Sequence, residues 1–162
     1  MSDPDTIEHK FWKGLRSDMT VMLSCDGAPP RPMASQLDGD EDRGPIWFFT
    51  SADSELAEAT AAGTKHGVMT FVDKGHNIWA SAEGELRQSN DRATIDRLWN
   101  RYTAAWFEGG KDDPKLRLIR FDAHEAQLWE DGSSLVAGVK ALIGSDPKED
   151  FRDHVAKVRL DD

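Results

Sequence analysis

The chain has 162 residues, the usual length of one domain. A hydrophobic content of 38% with six tryptophans is enough for a packed core and excludes a wholly disordered chain. The formal net charge is −10, so most of the surface should repel nucleic acid and anionic membranes, and we expect neither as a partner. Cys25 is the only cysteine, which excludes an internal disulfide and a thiolate metal cage.

The N-terminal residues and the hydropathy of the chain bear on its location. Residues 1–5 are acidic and lack the apolar stretch of a signal peptide, and no apolar run approaches membrane-spanning length. We therefore expect a soluble cytoplasmic protein. The five histidines are scattered without a pair at metal-ligand spacing, so no metal site is expected.

The first half of the chain alternates between strand and turn patterns after an opening helix. Apolar residues at helical spacing through Leu15 predict that helix, which begins near Pro4. Asp26-Gly27 and the polar segment 38–44 are typical of hairpin turns. Strands are expected over residues 19–24, 31–37, 46–50 and 67–72, with a short helix over 51–62.

The second half begins with a longer strand over residues 78–88, and the small residues on one of its faces suggest close approach by a ligand or another chain. A helix capped by Asn90 or Asp91 then extends to Trp106. Two strands are expected over 116–121 and 126–129, followed by a helix from residue 133 or 134 and a charged helix over 147–160.

Short antiparallel strands with hairpin turns and few helices favour a mainly β fold with peripheral helices, arranged as a small barrel. The βαβ rhythm of a doubly wound fold is absent. We expect one domain over residues 1–162. Its barrel core should span about 5–130, with a helical extension over 131–162.

A candidate anion site lies at Thr50 and Ser51, where the third strand passes into a helix. Free backbone N–H groups and the helix dipole favour a phosphate there. Arg31 is on a strand expected to pair with this one, and a guanidinium binds phosphate through two directed hydrogen bonds. The alternative is that Ser51 only caps the helix and Arg31 is a solvated charge; these residues alone favour that alternative.

An aromatic block accompanies the candidate site. Strand alternation predicts that Trp47 and Phe49 face one side and Phe48 the other, so they cannot all enter one barrel core. Core packing is the expected role for each aromatic taken singly. Together, however, they exceed what a small core requires, and some should cover helices, a dimer interface or a ring-shaped ligand: Trp47, Phe48, Phe49, Trp79, Trp99, Trp106 and Phe107.

Several segments resemble the general stress protein branch of the pyridoxamine 5′-phosphate oxidase-like flavoproteins. Their order and spacing agree with that family over roughly residues 5–130, which makes the resemblance more specific than any one motif. The segments are Arg31-Pro32-Met33-Ala34, Ile46-Trp47-Phe48-Phe49-Thr50-Ser51, Asp91-Arg92, and the tract from Leu98-Trp99 through Trp106-Phe107-Glu108-Gly109-Gly110 to Asp113-Pro114.

The resemblance implies a split β-barrel of the FMN-binding type, with six to seven antiparallel strands and flanking helices. It also implies a homodimer that binds FMN, or alternatively FAD, at the subunit interface. Arg31, Thr50 and Ser51 would hold the phosphate. The ring and ribityl chain would meet the backbone of Pro32, Met33 and Ala34, the side chains of Phe48 and Phe49, and Trp106 and Phe107 of the second subunit.

One position departs from the family pattern. A lysine that meets the phosphate is common in the helix after Thr50-Ser51, whereas this chain has Leu56 there, with Glu55 beside it. The loss of one charge-assisted contact costs about 1.5–3 kcal/mol, or roughly tenfold to a hundredfold in affinity. Lys65 is the candidate to compensate.

Three functions are compatible with these observations. The first is a homodimeric flavin-dependent oxidoreductase whose chemistry belongs to the flavin, since no side chain is identified as an acid or base. The second is a flavin carrier, buffer or stress-responsive sensor without turnover. The third is a barrel dimer that has lost its cofactor, which the Leu56 departure favours. Pyridoxamine-phosphate oxidase activity itself is not expected, because a second basic cluster for a substrate phosphate is not evident.

Overall fold

The computed structural model describes residues 4–130 and 155–161. It opens with the helix α1 (Pro4–Asp18), as predicted from the apolar spacing. Ile7, Phe11 and Leu15 are buried along one face of α1, which packs against the sheet. Met19 ends the helix with a left-handed backbone (φ 56°), and its N–H still donates to the carbonyl of Leu15.

The described residues form eight strands. These are β1 (Thr20–Cys25), β2 (Ala28–Ala34), β3 (Gln36–Leu37), β4 (Ile46–Ser51), β5 (Lys65–Val72), β6 (Ile78–Gln88), β7 (Leu116–Glu130) and β8 (Val155–Arg159). The remaining helices are short: α2 (Glu55–Ala61), α3 (Arg92–Leu98), α4 (Arg101–Ala104) and a single 3-10 turn (Gly110–Asp112).

The strands pair antiparallel in the order β2-β1-β5-β6-β7-β4-β3, and β8 also pairs with β7. Strand β7 organises the sheet. One of its edges holds β6, while the other holds β4 along its first half and β8 along its second half. The sheet curls until β2 and β4 approach each other. The predicted mainly β architecture with peripheral helices is therefore confirmed.

The sequence predicts two strands where the structure has the single strand β7, and a β-bulge explains the difference. Glu83 pairs with Glu125 but Gly84 pairs with Ala123, so His124 is an extra residue on β7. The extra residue changes which positions face inward. The buried positions are Phe121 and Ala123 before the bulge and Ala126 and Leu128 after it. Because the alternation is broken at that point, the pattern resembles two separate strands.

The small residues of β6 do not mark a ligand or a second chain. Ala80, Ala82 and Gly84 face the buried interior. At Gly84 a Cβ atom would lie only 2.0 Å from the carbonyl oxygen of Asp122 on β7. The close approach that the pattern indicated is therefore made by the chain's own neighbouring strand.

Three other predicted elements differ from the structure. The predicted helix from residue 90 to Trp106 is two short helices, because Asn100 leaves helical geometry and caps α4. The return strand begins earlier than predicted, at Ala28, and residues 36–37 form a separate strand. Residues 155–159, predicted as the end of a helix, form β8 with Ala156 and Val158 buried; the rest of the predicted C-terminal helices lies outside the described residues.

Two groups of apolar side chains pack on opposite faces of β4 and β7. The barrel core fills the curled sheet beneath α1 and is built around Phe11, Leu23, Phe48, Leu56, Leu86 and Phe121. The outer cluster lies on the other face and consists of Trp47, Ile95, Leu98, Phe107, Leu116 and Leu118. As alternation predicts, Phe48 enters one group, whereas Trp47 and the half-buried Phe49 join the other.

Candidate functional site

The segment between β4 and α2 is organised by serine and threonine hydroxyls. The Oγ of Ser54 accepts a hydrogen bond from the N–H of Ala57 at 3.1 Å and another from the hydroxyl of Thr50 at 2.8 Å. Ser54, not Ser51, is therefore the N-cap of α2. The predicted helix start at Ser51 is wrong, since α2 has only seven residues and its first turn carries Glu55 and Glu58. Any anion site here depends on side chains more than on a helix dipole.

Ser51 makes a different contact. Its hydroxyl donates to Oδ1 of Asp53 at 2.5 Å, and the Nζ of Lys115 lies 3.8 Å from Oδ2 of the same carboxylate. These contacts lower the pKa of Asp53: the hydrogen bond from Ser51 contributes most, followed by its own backbone N–H and the charge of Lys115. Asp53 is thus an anion at neutral pH and lies in direct contact with a predicted phosphate-binding residue.

Arg31 does not pair with the strand that the sequence suggests. It lies on β2 opposite Leu23 of β1, whereas β4 pairs with β3 and β7. Nevertheless β2 approaches both β4 and α2 across the opening of the curled sheet. Arg31 shares the inward face of β2 with the buried Met33, and Thr50 shares the inward face of β4 with Phe48. Arg31 and Thr50 therefore lie on inward faces of strands that approach each other, whereas Ser51, the third predicted phosphate residue, follows Thr50 on β4 and lies on the opposite face.

Arg31 as a whole residue is half-buried. Among residues 4–130 and 155–161, no side chain or carbonyl forms a hydrogen bond or ion pair with it. A half-buried cation without a protein partner is available to an anionic ligand. This is the strongest chemical signal at the site.

The residues that follow Arg31 lie at the end of the sheet. In the described part of the chain β2 pairs only with β1, so one backbone edge beside Pro32, Met33 and Ala34 has no strand partner. The side chain of Met33 is buried in the barrel core, while Pro32 and Ala34 are exposed on the outer face. The free backbone edge is compatible with the predicted contact to a polar ring.

The aromatic candidates divide by burial. Phe48 is fully buried in the barrel core, and Phe107 packs in the outer cluster of its own chain. Both side chains are used in packing within this chain, and their predicted contacts with a ligand and a second subunit stay predictions. Phe49 is half-buried and meets Trp99 edge-on at 5.9 Å between ring centroids. Trp106 is 84% exposed and free to cover another surface.

The leucine that replaces the family's lysine, Leu56, has a packing role in this structure. Its side chain is fully buried in the barrel core and, being apolar, offers neither charge nor a hydrogen bond to a phosphate. Lys65 does not provide an evident substitute, since it lines a separate 340 Å³ pocket with Asp26, Glu55 and Glu58.

Two basic residues that sequence reasoning missed lie beside the end of β4. Arg117 of β7 is the register partner of Thr50, and the carbonyl of Lys115 accepts from the N–H of Ala52 at 2.7 Å. The Arg117 guanidinium donates to the carbonyls of Pro114 and Leu116. No local pattern could have found these residues, because only the pairing of β4 with β7 brings them together.

An apolar groove of about 810 Å³ lies on the outer face of β1, β5 and β6. Its lining includes Met22, which is 40% exposed, and Trp79, which is 45% exposed. Pro32 of β2 borders the same groove. The groove therefore begins beside the segment predicted to contact a ring.

Other reactive groups are less prominent. Burial and the neighbouring charge of Asp26 raise the pKa of the half-buried Cys25 thiol, which disfavours the nucleophilic thiolate. Within the described ranges, no three His, Cys, Asp or Glu side chains are grouped as metal ligands. In the same part of the chain, no helix is long and apolar enough to cross a membrane.

The curled antiparallel sheet with its few helices is the architecture of the split-barrel class of proteins. The chain belongs to the pyridoxamine 5′-phosphate oxidase-like family, whose model matches residues 6–149. The suggested resemblance and the split-barrel fold are thereby confirmed.

Three solved structures of general stress proteins are similar to this chain. One, from Xanthomonas campestris pv. campestris, is 52% identical over 83% of this chain and 93% of that one, with a TM-score of 0.76. A general stress FMN/FAD binding protein from Xanthomonas citri is 49% identical over 80% and 92%, with a TM-score of 0.75. General stress protein 26 from Jannaschia sp. CCS1 is 31% identical over 97% and 99%, with a TM-score of 0.79. No curated protein matches at a significant level.

Proposed function

We propose that this chain binds a flavin nucleotide, with FMN as the preferred form and FAD as the alternative. The observation that carries the proposal is the half-buried residue Arg31, whose guanidinium has no protein partner within the described residues. The X. citri protein, 49% identical to this chain, is described as binding FMN or FAD. A flavin nucleotide has the anionic group that such a guanidinium requires.

The donor set fits a phosphate group. Arg31 supplies a fork of N–H donors. The oxygen of Ser54 accepts hydrogen bonds from Thr50 and Ala57. Because neither bond uses the hydroxyl hydrogen of Ser54, that hydrogen can be donated to a phosphate. Ser51 supplies a further hydroxyl once it releases Asp53. Because the family lysine is replaced by Leu56, Arg31 carries most of the positive charge in this proposal.

We also propose that the working form is a homodimer. The apolar groove bordered by Met22 and Trp79 exposes large side chains that a second copy would cover. The exposed Trp106 of that copy would close the flavin slot next to Phe49. The free backbone edge of β2 would meet the polar edge of the ring.

Bound flavin would supply hydride and electron transfer, which makes oxidoreductase activity the leading function. The residues of this chain would hold the phosphate, orient the ring and exclude water from it. A non-catalytic carrier or sensor in the cytoplasm is the second candidate.

A titration tests the binding proposal directly. Purified protein is titrated with FMN, FAD and riboflavin while flavin fluorescence is followed. Arg31→Ala should weaken FMN binding about tenfold or more, since a charge-assisted pair is lost. Arg31→Lys should recover only part of it, because the ammonium lacks the planar fork.

The matched control is Arg43→Ala, which removes an exposed arginine paired with Glu41 in the loop before β4. It should leave FMN affinity within about twofold, because exposed ion pairs contribute little. If Arg31→Ala binds FMN as well as the native chain does, the phosphate lies elsewhere and the proposed site is wrong.

The redox behaviour of the loaded protein separates the candidate functions. Reduction of its flavin by NAD(P)H and reoxidation by an acceptor would support the oxidoreductase. A yellow, flavin-loaded protein whose flavin is not reduced by NAD(P)H would support the carrier. A colourless protein whose melting temperature does not rise with FMN would support a barrel without cofactor. A ligand at 100 times its dissociation constant should add about 2.7 kcal/mol of stability.

A further inference from the structure

The carboxylate of Asp53 occupies donors at the proposed phosphate site. It accepts the hydroxyl hydrogen of Ser51 at 2.5 Å and lies 3.8 Å from the ammonium of Lys115. A hydroxyl and an ammonium are donors that a phosphate oxygen would use.

These contacts compete with a ligand for a definite reason. A serine hydroxyl has one hydrogen to donate, so Ser51 cannot donate to Asp53 and to a phosphate at the same time. Binding through Ser51 must therefore break the Ser51–Asp53 hydrogen bond. The released carboxylate would then lie next to a second anion.

We propose that Asp53 is a specificity-determining residue that acts as an internal competitor for the phosphate and lowers affinity for phosphorylated flavins. This inference rests on the proposed function and adds to it a residue that weakens binding. The side chain of Asp53 is 71% exposed, so it can rotate into solvent when a ligand arrives. Because exposed contacts are modest in energy, the effect should be about threefold to tenfold in affinity.

The test compares FMN with riboflavin, which has the same ring and ribityl chain but no phosphate. Asp53→Ala removes both the charge and the acceptor, and Asp53→Asn removes the charge but keeps an acceptor for Ser51. We expect Asp53→Ala to tighten FMN binding about threefold to tenfold and Asp53→Asn to tighten it less. Riboflavin affinity should stay within about twofold in both variants, since the competitor acts only on the phosphate.

Glu55→Gln is the matched control. Glu55 is an exposed carboxylate two positions further along the chain, and among the described residues it has no hydrogen-bond or ion-pair partner. It therefore tests the general effect of local negative charge without competition for Ser51. Its effect on FMN affinity should be less than that of Asp53→Asn.

Three results would overturn the inference: unchanged or weaker FMN binding in both Asp53 variants, equal tightening of riboflavin, or an equal effect of Glu55→Gln. If these occur while Arg31→Ala still weakens FMN binding, only the role of Asp53 is wrong. If neither the native chain nor the Asp53 variants bind FMN, the proposed function fails as well. Binding by Asp53→Ala alone would support both.

Discussion

The barrel core and the outer cluster share strands β4 and β7 but differ in how completely they are packed. Phe48 and Phe121 in the barrel core have no exposed surface. The outer cluster includes the half-buried Phe49 and Trp99, and its Trp47 has a buried Nε1 without a hydrogen-bond partner in the described part of the chain. The barrel core is therefore completely packed, whereas the outer cluster keeps partly exposed aromatic side chains and one unsatisfied buried donor.

The largest effect should come from Gly84, which lies where β6 and β7 meet inside the barrel core. A Cβ there would overlap the carbonyl oxygen of Asp122 at 2.0 Å and lie 2.8 Å from the Cα of Ala123. Gly84→Val should therefore prevent folding or cost more than about 4 kcal/mol. Glu83→Ala, at an exposed neighbouring position, should change stability by about 0.5 kcal/mol or less. Urea unfolding measures both, and a folded Gly84→Val of near-native stability would contradict the register of β6 and β7.

The second prediction compares the same truncation in the two regions. Phe121→Ala in the barrel core should cost about 3–5 kcal/mol, because the surrounding residues cannot collapse into the cavity. Phe107→Ala in the outer cluster should cost about 1.5–3 kcal/mol, closer to the transfer free energy alone. Equal losses in chemical denaturation would remove the contrast between the two regions.

One buried tryptophan in each region allows a comparison of a paired with an unpaired indole N–H. The indole N–H of Trp12 donates to Glu8 at 3.3 Å, whereas that of Trp47 has no partner among the described residues. Trp12→Phe should cost about 1–3 kcal/mol, since it removes a satisfied donor and buried area. Trp47→Phe removes an unpaired buried donor, so its stability should stay within about 1 kcal/mol of the native value. A loss at position 47 as large as that at position 12 would show that the N–H of Trp47 is satisfied.

The smallest expected effect is a pH dependence at the edge of the outer cluster. The side-chain hydroxyl and then the backbone N–H of Thr94 hydrogen-bond to Asp91 and lower its pKa below the ordinary 3.8. A carboxyl with a lowered pKa in the folded state stabilises it above the unfolded pKa, and the contribution is lost as the pH falls through the folded pKa. Stability should thus decline as the pH falls from about 5 towards 2, and less steeply in Asp91→Asn. Identical pH profiles would exclude a contribution from Asp91.

Local patterns in the sequence predict much of the fold. The spacing of Ile7, Phe11 and Leu15 predicts α1, and alternation predicts that Phe48 faces away from Trp47. The strand and turn patterns also favour a small barrel, and the family resemblance adds that the barrel is of the split type.

Long-range pairing limits what the sequence can predict about the candidate site. Arg31 was expected to pair directly with the strand of Thr50, yet its strand pairs with β1 and only approaches β4. The register of β4 and β7 also brings two basic residues to the end of β4, about 65 residues away from it along the chain. They are Arg117, which pairs with Thr50, and Lys115, which lies beside Asp53. The contact between Ser51 and Asp53 is local, but alternation does not predict which hydroxyl a carboxylate accepts.

The extra residue in β7 bears on how this protein can vary in length. His124 shifts the inward positions from Phe121 and Ala123 to Ala126 and Leu128. Deleting it would place all four side chains in one regular alternation, because side chains alternate with a period of two, so the barrel core does not require the extra residue. Its carbonyl, however, accepts the N–H of Leu160, which ties the segment after β8 to the same point. A shorter chain without His124 should therefore keep the inward face of β7 and lose this hydrogen bond to the segment after β8.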